Sequence, residues 1–169
     1  AIGIYRRLGE EHHMGRMMID KATTLCTGGD FAGAIRWTEA GLEHIDTERD
    51  PRFALAAKHN LSLYLHRDGD IDRAMGLLQE ILPLFAKQND SMVLLRLRWL
   101  EGRLAQAQRQ FDRAEAAFRE VQRGYAERGL PYEAASVSFD LATVLVEEQR
   151  YDELAELATE IVGIFQGLG

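Results

Sequence analysis

The sequence predicts an all-α fold, a right-handed α-solenoid built from about four stacked helical hairpins of 40 residues each. Composition is the first observation: 46% of the 169 residues are apolar and 28% are charged, which suits one packed domain and argues against disorder. Three prolines and few β-branched runs favour helices over strands. The second and third observations are a 40-residue period in the apolar residues and turn residues that recur with it.

The period appears as large side chains 40 residues apart, each followed three positions later by a smaller apolar residue. These two sets are Phe31, Ile71, Phe111 and Tyr151, and Ala34, Ala74, Ala114 and Leu154. Two further sets keep the same spacing, one large (Tyr5, Ile45, Phe85, Tyr125, Phe165) and one small (Ala22, Ser62, Gly102, Ala142). Several sets that share one spacing predict a repeat protein.

Turn residues divide each repeat into two helices, A and B. Gly28-Gly29-Asp30 and Gly69-Asp70 combine a helix-ending glycine with an acid that caps the next helix. Gln108-Arg109-Gln110 has no glycine, so that boundary depends on the apolar sets alone. Asp50-Pro51 and Gly129-Leu130-Pro131 place proline at the first position of a helix, where its missing N–H costs nothing.

These signals predict one repeat domain over residues 1–169. Helix A of the second repeat runs over about 51–67 and helix B over about 70–87, and the other helices follow by adding or subtracting 40. The four repeats are 11–50, 51–90, 91–130 and 131–169, and residues 1–10 are the end of a preceding helix B. Because the chain starts and stops in the same phase, we expect it to be a segment of a longer repeat protein.

The third repeat resembles the tetratricopeptide repeat (TPR), with Gly102, Ala105, Phe111, Ala114 and Phe118 at the small, apolar, aromatic, alanine and aromatic positions of that family. The unit is longer than the usual length of about 34 residues, the late proline is absent, and Trp99 lies one position from the family's tryptophan. HEAT repeats have a suitable length and remain the rival. The resemblance implies A helices that line a concave groove, and a sensory or scaffolding role beside another domain of a bacterial signalling protein.

In the register that the resemblance implies, the groove is basic and aromatic at its centre. Its candidate binding residues are Arg16, His59, Asn60, His66, Arg96, Trp99, Arg103 and Phe139. Arginine side chains beside an indole predict an acidic peptide, or a peptide's C-terminal carboxylate, as the ligand. An alternative stays open: the arginines form a solvated helix face paired with Glu101 and other acids, and Trp99 belongs to the core.

Catalytic and metal-binding motifs are incomplete, so we expect a non-enzymatic protein without metal or cofactor. Glu10-Glu11-His12-His13 is half of a di-iron motif, and His59 with His66 supplies too few ligands for zinc. A net charge of −7 disfavours nucleic acid as a partner. The lack of an apolar stretch of about 18 residues argues against a membrane, and a single cysteine, Cys26, fits the cytoplasm.

Two functions remain from these observations. The first is recognition of a protein or peptide in the groove, by the sensory or scaffolding part of a larger regulatory protein. The second is self-association through the terminal helix, where Ile161, Val162, Ile164 and Phe165 leave no polar outer face.

Overall fold

The computed structural model describes residues 10–87 and 90–167. Within those ranges the regular secondary structure is entirely helical. In chain order the described helices are α1 (Glu11–Thr27), α2 (Phe31–Leu42), α3 (Pro51–Asp68), α4 (Ile71–Ala86), α5 (Ser91–Ala107), α6 (Phe111–Ala126), α7 (Pro131–Glu147) and α8 (Tyr151–Gly167). The all-α prediction is therefore confirmed. The expected helix at residues 1–10, including Tyr5, lies outside the described residues except for Glu10.

Seven of the eight described helices agree within a residue or so with the bounds that the 40-residue period predicts. The exception is α2, which ends at Leu42 where the period predicts about residue 47. Here the N–H of Asp46 donates to Nδ1 of His12 at 3.2 Å. The Asp46 side chain accepts from the N–H groups of Glu48 and Arg49 at 3.1 and 3.0 Å. Because these amides are bound outside a helical ladder, the chain turns before α3 begins.

The turn inside each hairpin has the same conformation in all four repeats. Gly29 and Gly69 have φ of +84° and +93°, and Arg109 and Gln149 occupy the same place with φ of +58° and +60°. The four residues are 40 apart. The repeat thus imposes a left-handed residue at this position even where the sequence supplies no glycine.

Aspartate side chains cap four consecutive helices, α2 to α5. Asp30, Asp50, Asp70 and Asp90 each accept a hydrogen bond from a backbone N–H in the first turn of the helix that follows, at 2.8 to 3.3 Å. Each cap satisfies amides that the helix itself leaves unpaired. The helices α6 and α7 follow Gln110 and Leu130, which make no such side-chain bond.

The chain divides into two compact units, Ala1–Gln88 and Asn89–Gly169, close to the predicted repeat boundary at residue 90. In the first unit α1 packs on α2, α2 on α3, and α3 on α4. In the second unit α5 packs on α6, α6 on α7, and α7 on α8. Each unit is therefore two hairpins in sequence.

The repeated apolar sets form the cores of both units. Ala34, Ala74 and Ala114 are fully buried, and Ile45, Phe85 and Tyr125 are also buried. Small residues allow the paired helices to approach closely. Ser62 Oγ donates to the carbonyl oxygen of Ala74 at 2.8 Å, and Gly102 lies against the ring of Phe118 and the methyl of Ala117.

Candidate functional site

In the first unit the predicted binding residues lie on α1 and α3. Arg16 Nη1 donates to Asp50, the cap of α3, at 2.8 Å, and its guanidinium lies 4.4 Å from the centre of the Phe53 ring. The ring of His59 meets Phe85 edge to face, with centroids 6.4 Å apart. Asn60 and His66 are half-buried on α3. Arg16 is therefore part of the α1–α3 contact.

The first unit also joins its two A helices through side chains that were not expected to interact. Thr23 on α1 and Tyr64 on α3 are hydrogen-bonded through their hydroxyl groups at 3.3 Å. Burial raises the pKa of the Tyr64 phenol, and the bond to Thr23 opposes that rise. The phenol consequently stays neutral and acts as a structural hydrogen-bonding group.

In the second unit the predicted residues converge on one acid of the next A helix. Trp99 Nε1 and Arg103 Nε, both on α5, donate to Oδ2 of Asp140 on α7 at 2.5 and 2.8 Å. The guanidinium of Arg103 lies 4.5 Å from the centre of the Trp99 ring. We call Arg96, Trp99, Arg103 and Asp140 the α5–α7 site.

The Arg103 guanidinium in this site is held through its Nε and one of its flat faces. Its Nε is bound to Asp140 and its flat face covers Trp99, and the side chain keeps 23% of its full exposure. Among the described residues, no carboxylate pairs with its two terminal nitrogens. Those nitrogens are the fork that binds a carboxylate with two parallel hydrogen bonds.

Arg96 lies two helical turns before Arg103 and is exposed. It lies near the phenol of Tyr125 of α6, which also meets Trp99 edge to face at a centroid separation of 6.3 Å. Burial raises the pKa of the Tyr125 phenol, and the nearby Arg96 opposes the rise. The site thus contains a second guanidinium beside an uncharged phenol.

Phe139, the remaining predicted binding residue, packs towards α8 and not into the α5–α7 site. Its ring is 55% exposed and lies 6.5 Å from the ring of Phe165 on α8. Tyr132 meets the same Phe165 ring at 6.1 Å. These three aromatic residues, with Val146 of α7 and with Tyr151 and Val162 of α8, are exposed, and we call these six residues the α7–α8 face.

The alternative interpretation of the arginines, a helix face paired with acids, is supported at Arg98 and at Arg103, which pairs with Asp140, and Trp99 packs against the core of the second unit. Arg98 pairs with Glu101 and with Glu120, both at 2.8 Å. Lys58 and Glu80 form the same contact 40 residues earlier. This ion pair between helices A and B of one repeat was missed in the sequence, although the 40-residue spacing of both partners is visible there. Arg98 is accordingly structural, while Arg96 has no acidic partner among the described residues.

The described residues hold neither a metal-ion cluster nor a membrane-spanning helix. Those residues contain no group of three or more His, Cys, Asp or Glu side chains placed to hold a metal ion. None of the described helices is long and apolar enough to cross a membrane. A cavity of about 500 Å³ in the first unit contains none of the predicted binding residues; it is lined by Thr47, Pro51, Ala54, Leu55, Lys58, Leu84 and Lys87.

Known proteins resemble this chain in fold and not detectably in sequence. No protein-family model and no curated protein matches it. Two solved structures that do match show nearly identical TPR-like repeats of a candidate kinesin light chain of Podosopora anserina. The Q17M variant has a TM-score of 0.73 at 18% identity, over 96% of this chain and 81% of that one. The other has a TM-score of 0.53 at 17% identity, over 90% of this chain and 95% of that one.

These likenesses show that the chain has a TPR-like repeat fold. The resemblance drawn from Gly102, Phe111, Ala114 and their equivalents is thereby confirmed at the level of fold, in preference to HEAT repeats. Function is a separate question, because one fold carries many functions.

Proposed function

We propose that this chain is a non-enzymatic protein-interaction module that binds a peptide carboxylate at the α5–α7 site. The observation that carries the proposal is the way in which the Arg103 guanidinium is held. Asp140 and Trp99 hold its guanidinium through Nε and one face, and the terminal nitrogens are left to bind a ligand. A pre-positioned guanidinium loses little side-chain freedom when the ligand binds, which favours affinity.

The surroundings favour a single carboxylate over a run of acids. Glu133, Asp140 and Glu147 all lie on α7, and further negative charges on the ligand would be repelled by them. The carboxylate at a peptide's C-terminus carries one charge, and Arg96 provides a second donor on the same face of α5. An apolar side chain next to that carboxylate would contact Trp99, which is half-buried.

TPR-like neighbours support a scaffold that binds other proteins, in keeping with a sensory or scaffolding part of a larger regulatory protein. A cytoplasmic location agrees with a single cysteine, Cys26, which is free in the described residues.

The experiment compares two peptides that differ only in their last group. An acetylated octapeptide, Gly-Ser-Gly-Ser-Gly-Ser-Leu-Leu, is titrated with a free C-terminal carboxylate and again as the amide. Trp99 emission is followed in a Trp37→Phe background, which leaves one tryptophan. We expect the acid to bind at least tenfold more tightly than the amide, the scale of one charge-assisted hydrogen bond.

Two substitutions of equal charge locate the site. Arg103→Glu is expected to weaken the acid peptide at least tenfold, since it replaces the fork by a repelling charge. Arg123→Glu is the control, because Arg123 is exposed on α6 and lies outside the α5–α7 site. Equal effects of both substitutions, or no effect of Arg103→Glu, would refute binding at the α5–α7 site.

The alternative function, self-association through α8, is opposed by charge. Residues 131–169 contain eight acidic side chains and one arginine, so they alone hold the net charge of −7 while residues 1–130 are balanced. Two copies meeting through this hairpin would bring together two strongly negative surfaces. Sedimentation of the wild type and of Phe165→Glu tests this alternative: we expect a monomer in both.

A further inference from the structure

The cavity of about 500 Å³ in the first unit, which we call the α3–α4 cavity, has largely apolar walls. They are formed by the loop after α2, the first two turns of α3 and the C-terminal end of α4. Four of the seven lining side chains are apolar, namely Pro51, Ala54, Leu55 and Leu84. Ala54 and Leu55 are buried, whereas Leu84 is 42% exposed, so the cavity opens to solvent beside α4. Small-molecule sites usually have volumes of about 300 to 1,000 Å³, and this cavity lies within that range.

Comparison with the next repeat explains why there is space between α3 and α4. In the second unit Leu95 on α5 lies so close to Gly124 on α6 that a Cβ added to the glycine would be 2.6 Å from Cδ2 of the leucine. The equivalent residues in the first unit are Leu55 and Leu84, and both line the cavity. A leucine side chain does not fit where a single Cβ already collides, so Leu84 requires a wider spacing of the two helices.

Two further features distinguish this region from its equivalent in the second unit. Pro83 lies inside α4, where the next repeat has Arg123. A proline in the interior of a helix removes one backbone hydrogen bond and bends the helix, and Leu84 and Lys87 follow it directly. In addition α2 ends a full turn earlier than α4 and α6 do, so the loop that contains Thr47 borders the cavity. The cavity therefore depends on residues that the other repeats lack.

The charged side chains that line the cavity are both lysines. The sequence has three lysines, and two of them, Lys58 and Lys87, are at this cavity. Lys58 Nζ is bound to Glu80 at 2.5 Å, so its charge is compensated and its aliphatic stem contributes to the wall. Lys87 is exposed and forms no ion pair with the described residues. The lining residues include no acid, so the mouth of the cavity carries one uncompensated positive charge.

Size and charge together indicate a small anionic molecule as the occupant. A docked helix needs a strip of several exposed apolar side chains, and Leu84 is the one large apolar side chain that is exposed in the described part of the first unit. A single uncompensated lysine matches a single anionic group. Asp50, at the start of α3, does not oppose such a group, because it is bound to Arg16 and to the N–H of Phe53.

We propose that the α3–α4 cavity binds a small amphiphile, an apolar chain with one anionic head group. The chain lies against Ala54, Leu55 and Leu84, and the head group lies at Lys87. This site is independent of the carboxylate site proposed above, because every residue that lines it belongs to the first unit.

The probe is decanoate, used below its critical micelle concentration, and its affinity is measured by isothermal titration calorimetry. Hexanoate and octanoate shorten the chain at constant charge, and decyltrimethylammonium keeps the chain and reverses the charge. We expect the affinity of the carboxylates to rise about two- to fourfold for each added CH₂, because each is removed from water. We expect decanoate to bind about fivefold more tightly than decyltrimethylammonium, which Lys87 repels. These comparisons use the wild-type chain and need no variant.

Substitutions on the protein assign the binding to this cavity. Leu84→Ser is expected to weaken decanoate about fivefold through lost apolar contact, and Lys87→Glu about threefold through the reversed charge. Phe165→Ser is the matched control, because Phe165 is 39% exposed and lies on the α7–α8 face of the other unit. Arg103→Glu is the second control, since it removes the carboxylate site. Both controls are expected to bind decanoate as the wild type does.

Four results would overturn the proposal. The first is decanoate that fails to bind, or that binds no more tightly than hexanoate, and the second is equal affinity for decyltrimethylammonium. The third is equal loss of binding in Leu84→Ser and Phe165→Ser, since the amphiphile would then adsorb to exposed apolar surface in general. The fourth is loss of decanoate binding in Arg103→Glu, which would place the amphiphile at the α5–α7 site. The octapeptide depends on Arg103 and decanoate on Leu84, so failure of one site is distinguishable from failure of the other.

Discussion

The contact of Gly102 with α6 predicts that one added methyl group destabilises the second unit. A Cβ at Gly102 would lie 2.7 and 2.9 Å from two carbons of the Phe118 ring and 3.1 Å from the Ala117 methyl. Both neighbours are fully buried, so neither has space into which to move. We therefore expect Gly102→Ala to overpack the α5–α6 contact.

The expected change in the free energy of unfolding combines two opposing effects. Overpacking of a well-filled core costs about 1 to 3 kcal/mol. Replacing glycine by alanine inside a helix returns about 1 kcal/mol, because alanine loses less backbone freedom on folding. The closest approaches, 2.7 and 2.9 Å, are to a fully buried ring, which places the overpacking cost in the upper part of its range, at about 2 to 3 kcal/mol. The net expectation is therefore a loss of about 1 to 2 kcal/mol in the free energy of unfolding.

Gly163 provides a control with the opposite sign. It lies in α8 of the same unit, and a Cβ there would meet no heavy atom within 4 Å. Gly163→Ala is expected to stabilise the unit by about 0.5 to 1 kcal/mol. Urea denaturation followed by Trp99 emission in a Trp37→Phe background reports the second unit. Gly102→Ala that is as stable as the wild type, or more stable, would refute the close approach of α5 and α6.

Three other substitutions test the turns, an ion-pair cluster and a buried hydrogen bond. Gln149→Gly is expected to stabilise the chain by about 0.5 to 1 kcal/mol in urea denaturation, because a left-handed residue with a side chain costs about 1 to 2 kcal/mol and glycine's entropy offsets part of that. Arg150→Met removes the hydrogen bonds that lower the pKa of Glu115 and Glu153. Those carboxylates stabilise the fold above their unfolded pKa of about 4.3, and this stabilisation is lost as the pH falls through their folded values, so Arg150→Met should destabilise at neutral pH and much less on acidification. Ser62→Ala is expected to cost about 1 kcal/mol, because Ser62 donates to a buried backbone carbonyl of α4.

Each of these predictions has a contradicting result. A destabilised Gln149→Gly would show that the left-handed turn is not strained. An Arg150→Met effect on stability that stays constant from neutral to acidic pH would show that the lowered pKa values are not coupled to folding. A Ser62→Ala chain of unchanged stability would mean that the bond to α4 is exchanged for another partner without cost.

Most of the fold is predictable because the repeat makes each helix boundary visible several times. The sets that contain Ala34 and Phe85 recur every 40 residues, and the bounds of α3 extend to the other A helices. The early end of α2 is associated instead with the hydrogen bond between Asp46 and His12, which are 34 residues apart in the sequence. No local sequence pattern predicts that bond, because it forms only when α1 packs against the loop after α2.

The candidate site is less predictable for the same reason. Arg96, Trp99 and Arg103 are recognisable as a basic and aromatic stripe, but their partner Asp140 is about 40 residues away on the next A helix. Periodicity assigns residues to a helix face, and the pairing across faces depends on how the helices pack. The placement of Phe139 beside Phe165 likewise follows from the antiparallel packing of α7 and α8.

The most direct test of the carboxylate site is the behaviour of the two indole N–H resonances in a proton–nitrogen spectrum. Trp99 Nε1–H donates to Asp140 beside Arg103, whereas Trp37 lies on α2 of the other unit. Titration with the acid octapeptide is expected to shift the Trp99 resonance progressively and leave that of Trp37 in place, with Trp37→Phe giving the assignment. A Trp99 resonance that stays in place while the peptide binds, or a shift confined to Trp37, would contradict the proposed site.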